Sequence, residues 1–230
     1  MSLDQVPQTR QPALNIPASI LAVLAACFAI HIAQTYLLSR ESGLFVLFYG
    51  AFIPARYDES LGWEAFTSPV TYSLLHGSFG HLLNNSVWLV AFGSPVAKAM
   101  STLRFAMFWT SCSIIAALFH YVADPSSLAP MIGASGAVSG MMGAAARAGF
   151  RLRADADVDG EAIILPPISR LLRSRSVLVF LGLYLLINVG IGIFGSTNGS
   201  PIANIAWQAH IGGLIAGFFL LPLFVGQPRR

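Results

Sequence analysis

The chain has 230 residues, of which 55% are hydrophobic and only 10% charged, and its mean hydropathy is +0.68. Soluble domains carry about 25% charged residues, so the composition excludes an ordinary soluble globule and indicates an integral membrane protein. The net charge of +3 is small, and the arginines between 147 and 175 are interleaved with Asp155, Asp157, Asp159 and Glu161, which argues against a nucleic-acid partner.

Residues 1–14 are polar and contain Gln and Pro; they read as a disordered tail. Six apolar stretches follow, near 15–38, 77–97, 102–123, 135–149, 176–195 and 202–226. Measured against a hydrocarbon core of roughly 30 Å, they predict an all-α polytopic membrane domain of six helices over 15–226, with a short second tail at 227–230. Leu24-Ala25-Ala26-Cys27 has the form of a lipoprotein cleavage site. The apolar run continues through Phe28, Ile30, Ile32, Leu37 and Leu38, so a retained helix is expected. Cys27 and Cys112 fall mid-span and read as packing residues.

The first loop, 39–76, carries Phe45, Phe48, Tyr49, Phe52, Tyr57, Trp63 and Phe66. Two structures suit it: one embedded at the membrane interface, where aromatic rings are favoured, or a packed aromatic cluster outside the bilayer. The fourth stretch is anomalous. Ser135 to Phe150 is about fifteen rises of 1.5 Å, or roughly 22 Å, too short to cross the hydrocarbon. The preceding loop, 124–134, is therefore expected to dip inward and to place Ser135 at the floor of a cavity open to the outside. The two halves of the chain show no inverted repeat of the transporter kind.

Eleven basic residues (Arg10, Lys98, Arg104, Arg147, Arg151, Arg153, Arg170, Arg173, Arg175, Arg229 and Arg230) fall on one side of this arrangement and two, Arg40 and Arg56, on the other. The positive-inside rule then places both termini in the cytoplasm. Short tails and the lack of a targeting presequence suggest a bacterial cytoplasmic membrane.

Polar side chains inside these stretches suggest chemistry. Residues 131–140 read Met-Ile-Gly-Ala-Ser-Gly-Ala-Val-Ser-Gly, a glycine-flanked serine. His81 and Asn85 are four apart and share a helix face. His76 is nine residues from Asn85, on another face, and is expected to have a different task, such as bonding the first loop. His210, Gly213 and Gly217 form a stripe on the last stretch, and Gly136, Gly140 and Gly143 form one beside Ser135. Small residues at such spacing allow close helix approach, which would bring His210 to Ser135. Ser135 then reads as a nucleophile and His210 as its general base. The Ser135 N–H and the side chains of His81 and Asn85 would hold the oxyanion. With no acid in any stretch, a Ser-His dyad is the economical reading. A zinc site is disfavoured, since there is no His-Glu-x-x-His helix, and no metal or cofactor is expected.

These motifs resemble the rhomboid family of intramembrane serine proteases. The resemblance covers about 15–226 and rests on His76-Gly-Ser-Phe-Gly-His81-Leu-Leu-Asn-Asn85, on Gly133-Ala-Ser135-Gly136 and on Ala209-His210-Ile-Gly-Gly213 with Gly217. It implies a six-helix rhomboid-like bundle with a short central fourth helix, Ser135 as nucleophile, His210 as base, His81 and Asn85 in the oxyanion hole, and His76 as a structural helper. It further implies transmembrane protein substrates in a lipid bilayer, leaves the oligomeric state open, and suggests small residues around the cleaved bond. Two departures stand out. Some members carry an aromatic, one turn after the nucleophile, that packs on the catalytic histidine; Ser139 stands there. Some carry a Trp-Arg pair in the first loop, where this chain has only Arg56-Tyr57 and Trp63-Glu64. Two rival readings are a catalytically inactive rhomboid-like membrane-protein binder, opposed by the joint presence of Ser135, His210, His81 and Asn85, and a small-solute transporter, opposed by the apolar cytoplasmic halves of spans two, four and six.

Overall fold

A computed structural model describes residues 15–58, 61–152, 164–197 and 206–226. Both tails lie outside these residues. So do the acidic run Asp155–Glu161, the start of the last apolar stretch, and Arg10, Arg153, Arg229 and Arg230 of the charge asymmetry. The described chain is all-helical, with one isolated bridge between Phe52 and Met131.

Among the described residues ten α-helices follow in order: α1 (Ala18–Ile32), α2 (Arg40–Gly50), α3 (Glu64–Thr71), α4 (Phe79–Trp88), α5 (Ser94–Lys98), α6 (Thr102–Ala123), α7 (Ser135–Arg147), α8 (Ile168–Leu171), α9 (Arg175–Thr197) and α10 (Trp207–Phe224). A π-helical turn at Ala33–Leu37 extends α1, and another at Leu89–Gly93 joins α4 to α5. Three of these are long and apolar enough to cross a membrane: α1 with its extension, α6 and α10. The 175–190 part of α9 is a shorter apolar helix.

Local signals set several helix starts. Ser39, Ser78 and Ser101 each cap a helix, their hydroxyls accepting from the amides of Ser42, His81 and Arg104 at 3.2, 3.1 and 3.4 Å. At α7 no side chain caps the N-terminus, so its first amides are left for other partners. Its C-terminus ends on Gly149 at φ +64°, the left-handed conformation that glycine adopts without strain. There the Arg147 guanidinium donates to the Pro166 carbonyl at 2.8 Å.

α7 is the centre of the molecule; every residue from Gly136 to Ala146 is buried. The glycine stripes read from the sequence meet face to face. A Cβ on Gly213 would run into the Gly136 carbonyl, and one on Gly217 into the Gly140 carbonyl. On the other side of α7, a Cβ on Gly140 would press on Cys112 of α6. α7 and α10 thus touch almost backbone to backbone, and α6 packs on α7 through the Cys112 side chain, which suits a lipid environment where close packing rather than water exclusion drives association. Cys27 and Cys112 are both free and buried, as packing residues are.

The first loop holds a packed aromatic cluster. Tyr49 stacks on Trp63 at 5.3 Å, Phe45 lies 4.3 Å from Tyr49, and the Arg56 guanidinium sits 3.9 Å above Phe48. The cluster nevertheless keeps an apolar outer face, with Phe66 77% exposed. The 124–134 segment is exposed from Pro125 to Pro130, except for half-buried Ser127, and then descends: Met131, Gly133 and Ala134 are buried.

Candidate active site

Ser135 opens α7 at the point where the descending segment meets the glycine stripes. Several bonds fix that segment. Met131 and Phe52 exchange backbone hydrogen bonds at 2.9 and 3.1 Å, and the Gly133 amide donates to the Tyr72 carbonyl at 2.9 Å. Tyr72 is fully buried and donates its hydroxyl to the Ser113 carbonyl of α6 at 3.0 Å.

The stripe contact brings α10 alongside, and His210 Nε2 lies 2.8 Å from Ser135 Oγ. These residues are 75 apart in the chain. Both are half-buried, so the pair is sheltered without being sealed. Gly136 and Gly213 supply the close approach beside the pair; Gly217 serves the same packing two turns further along and touches no reactive group.

His81 and Asn85 approach from α4. Gly133 stands at φ +120°. A Cβ there would meet His81 Nε2 at 2.7 Å and Asn85 Nδ2 at 3.6 Å. Both polar tips therefore point at the turn that delivers Ser135. Asn85 is 4% exposed, and its amide nitrogen has no hydrogen-bond partner among the described residues. A buried orphan donor is costly unless it has a use. With the uncapped start of α7, Asn85 and His81 gather polar groups beside the turn that leads into Ser135.

His76 has a task apart from that of Asn85. Its Nε2 faces the Ala134 amide at 3.5 Å, and its ring sits edge-on to His81 at 5.1 Å. It braces the turn before Ser135 and the neighbouring histidine. His31 of α1, which sequence reasoning passed over, donates from Nδ1 to the His76 carbonyl at 3.0 Å and is itself buried.

Asn188 of α9 was also passed over. Its Oδ1 lies 2.8 Å from His210 Nδ1, and its Nδ2 donates to the Tyr184 carbonyl at 2.9 Å. Tyr184 donates its hydroxyl to Ser139 Oγ at 2.5 Å, and Ser139 donates to the Ser135 carbonyl at 2.6 Å. Asn188 thus stands where a carboxylate would complete a triad. The available signal was the pair Tyr184 and Asn188, four apart on one face of an otherwise apolar helix. Among the described residues, no three His, Cys, Asp or Glu side chains converge at metal-binding spacing.

A family model described as the Rhomboid domain matches residues 63–227. Rhomboid protease GluP of Bacillus subtilis (strain 168) is 26% identical over 157 residues, 68% of this chain and 25% of that protein. The Putative rhomboid protease YdcA of the same strain is 28% identical over 169 residues, 73% of this chain and 70% of that protein. The chain thus spans about a quarter of the first relative's length. The matched segment runs from Trp63 through α4, α7 and α10, the three helices that carry His81, Asn85, Ser135 and His210, and on these grounds the chain belongs to the rhomboid family.

Proposed function

We propose that this protein is an intramembrane serine endopeptidase that cleaves transmembrane segments of other membrane proteins through Ser135 and His210. The observation that carries the reading is the 2.8 Å contact between Ser135 Oγ and His210 Nε2, within the range for an O–H···N bond to a general base. The membrane domain comprises six spans: α1 with its extension, the α4–α5 run, α6, α7, α9 and α10. α7 is the short central one at 13 residues, about 20 Å.

In this mechanism neutral His210 takes the Ser135 proton as Oγ attacks the scissile carbonyl carbon. The carbonyl oxygen becomes an oxyanion and accepts from the Ser135 amide, Asn85 Nδ2 and His81. Collapse breaks the C–N bond, and His210 returns its proton to the leaving amine. Water then attacks the acyl-enzyme, with His210 again taking a proton, and releases the new carboxyl end. No metal or cofactor is required, and nucleic acid has no role. A substrate helix must unwind locally first, because its amides are otherwise bonded within the helix. The basic excess on one side supports a topology with both termini in the cytoplasm of a bacterial cell and the site open to the exterior.

The test is purified, reconstituted protein exposed to a serine-directed fluorophosphonate and to a panel of single-span substrates. Labelling and cleavage that vanish in Ser135→Ala, with the fold retained, support the assignment. An intact wild type that neither labels nor cleaves would instead favour either rival, an inactive binder or a transporter.

A further inference from the structure

His210 can hold its single neutral-state proton on either ring nitrogen, and only one choice is productive. If Nε2 carries it, the imidazole cannot accept from Ser135. The surroundings of Asn188 determine which form is present. A backbone carbonyl is acceptor-only, so the amide group of Asn188 that meets the Tyr184 carbonyl at 2.9 Å must be its NH₂. The Asn188 oxygen is thereby turned to His210 Nδ1 at 2.8 Å. An oxygen there can only accept, so Nδ1 must carry the proton, and the Nε2 lone pair is left facing Ser135 Oγ at 2.8 Å. Each link follows from the one before, starting at a carbonyl of the α9 backbone.

The rest of α9 sets this face apart. Asn188 is 5% exposed, whereas its neighbours Leu186 and Ile187 are 70% and 52% exposed. Tyr184, one turn before Asn188, binds Ser139, and Ser139 binds the carbonyl of Ser135. The network is a closed ring: Ser135, His210, Asn188, Tyr184, Ser139 and back to Ser135. Ser139 stands where an aromatic could have packed on the histidine, and it serves instead as an anchor for α9.

We propose that Asn188 is the positioning residue for His210, orienting its ring and holding the tautomer that accepts from Ser135. This rests on the reading of Ser135 and His210 as nucleophile and base. Asparagine in such a place has a chemical precedent in Cys-His-Asn hydrolases.

The experiment combines kinetics with a direct view of the ring. In reconstituted protein labelled with ¹⁵N-histidine, the His210 signals are those missing from His210→Ala. Wild type is expected to show the Nδ1–H tautomer. Asn188→Leu, similar in shape but without an acceptor, is expected to move those signals toward Nε2–H. It should lower kcat about tenfold to a hundredfold and leave KM within about twofold. Asn188→Asp keeps an acceptor and should hold the Nδ1–H form and recover turnover relative to the leucine variant. An unchanged tautomer in Asn188→Leu would overturn the proposal, whether turnover is kept or is lost equally in both variants. Failure of the protease reading looks different: wild type would neither label nor cleave, while the ring signals would still report whether Asn188 sets the tautomer.

Discussion

Gly213 of α10 lies directly against the carbonyl of Gly136 in α7, leaving no room for a Cβ between them. Gly136 directly follows Ser135 and Gly213 lies about one turn after His210, so the contact sets the spacing of the two helices at the site. Adding a methyl group must push α10 outward. Overpacking of this kind costs about 1–3 kcal/mol, and a shift of a few tenths of an ångström stretches a 2.8 Å hydrogen bond. Gly213→Ala is expected to lower the unfolding temperature and abolish fluorophosphonate labelling. Gly182→Ala on α9 is the contrast, because a Cβ there has nothing within 4 Å. It should label normally and be no less stable, since alanine is the better helix former by about 1 kcal/mol. Equal behaviour of the two variants would show that helix spacing is not limiting.

The base and the oxyanion donors should separate kinetically. His210→Ala removes the proton acceptor and is expected to lower kcat about 10²–10⁴-fold with near-normal expression. Asn85→Ala removes one donor among several; such a loss costs about 2.7–4 kcal/mol at most, and remaining donors should soften it. KM should be little altered in either case. Full activity in both Asn85→Ala and His81→Ala would remove these two side chains from the oxyanion hole.

Much of this was legible in the sequence because lipid penalises polar groups so strongly. Ser135, His210, His81 and Asn85 stood out against apolar backgrounds, and helical spacing placed Asn85 beside His81. The glycine stripes announced which helices would touch. The apolar stretch near 102–123 coincides with the helix Thr102–Ala123. What stayed hidden depended on distant backbone. Nothing local says that the His76 carbonyl receives a bond from His31, 45 residues away. Asn188 was visible as a polar residue in an apolar helix. Its partner was not, because the rotation of α9 about its own axis is set by packing and leaves no local mark in the sequence.

Gly133 is held at φ +120°, a backbone conformation costing a side-chain-bearing residue roughly 1–3 kcal/mol. A Cβ there would also lie 2.6 Å from the His81 ring carbon Cε1. Gly133→Ala therefore strains the turn before the nucleophile and displaces a proposed oxyanion donor together. The expected result is a large loss of kcat with the helical fold intact by circular dichroism. Retained turnover would show that His81 can move aside without consequence.

The Tyr184–Ser139 link offers a test by double substitution. Ser139→Ala leaves the Tyr184 hydroxyl with no acceptor in a half-buried setting, at a cost of about 1 kcal/mol or more. Tyr184→Phe is milder, because the Ser139 hydroxyl keeps its bond to the Ser135 carbonyl at 2.6 Å. Replacing both groups leaves no orphan donor, so the double variant should be more stable than Ser139→Ala alone, as measured by thermal unfolding in detergent. Turnover should follow a different order. Ser139→Ala leaves the Asn188 amide and the Tyr184 carbonyl that orients it in place, so it should keep the Nδ1–H form of His210 and most of its kcat. Tyr184→Phe also removes a hydroxyl that bonds the Asn188 side chain, so it should lose more turnover than Ser139→Ala but less than Asn188→Leu. A loss of kcat in Tyr184→Phe as deep as that in Asn188→Leu would mean that the hydroxyl link, rather than the amide, holds the histidine in place.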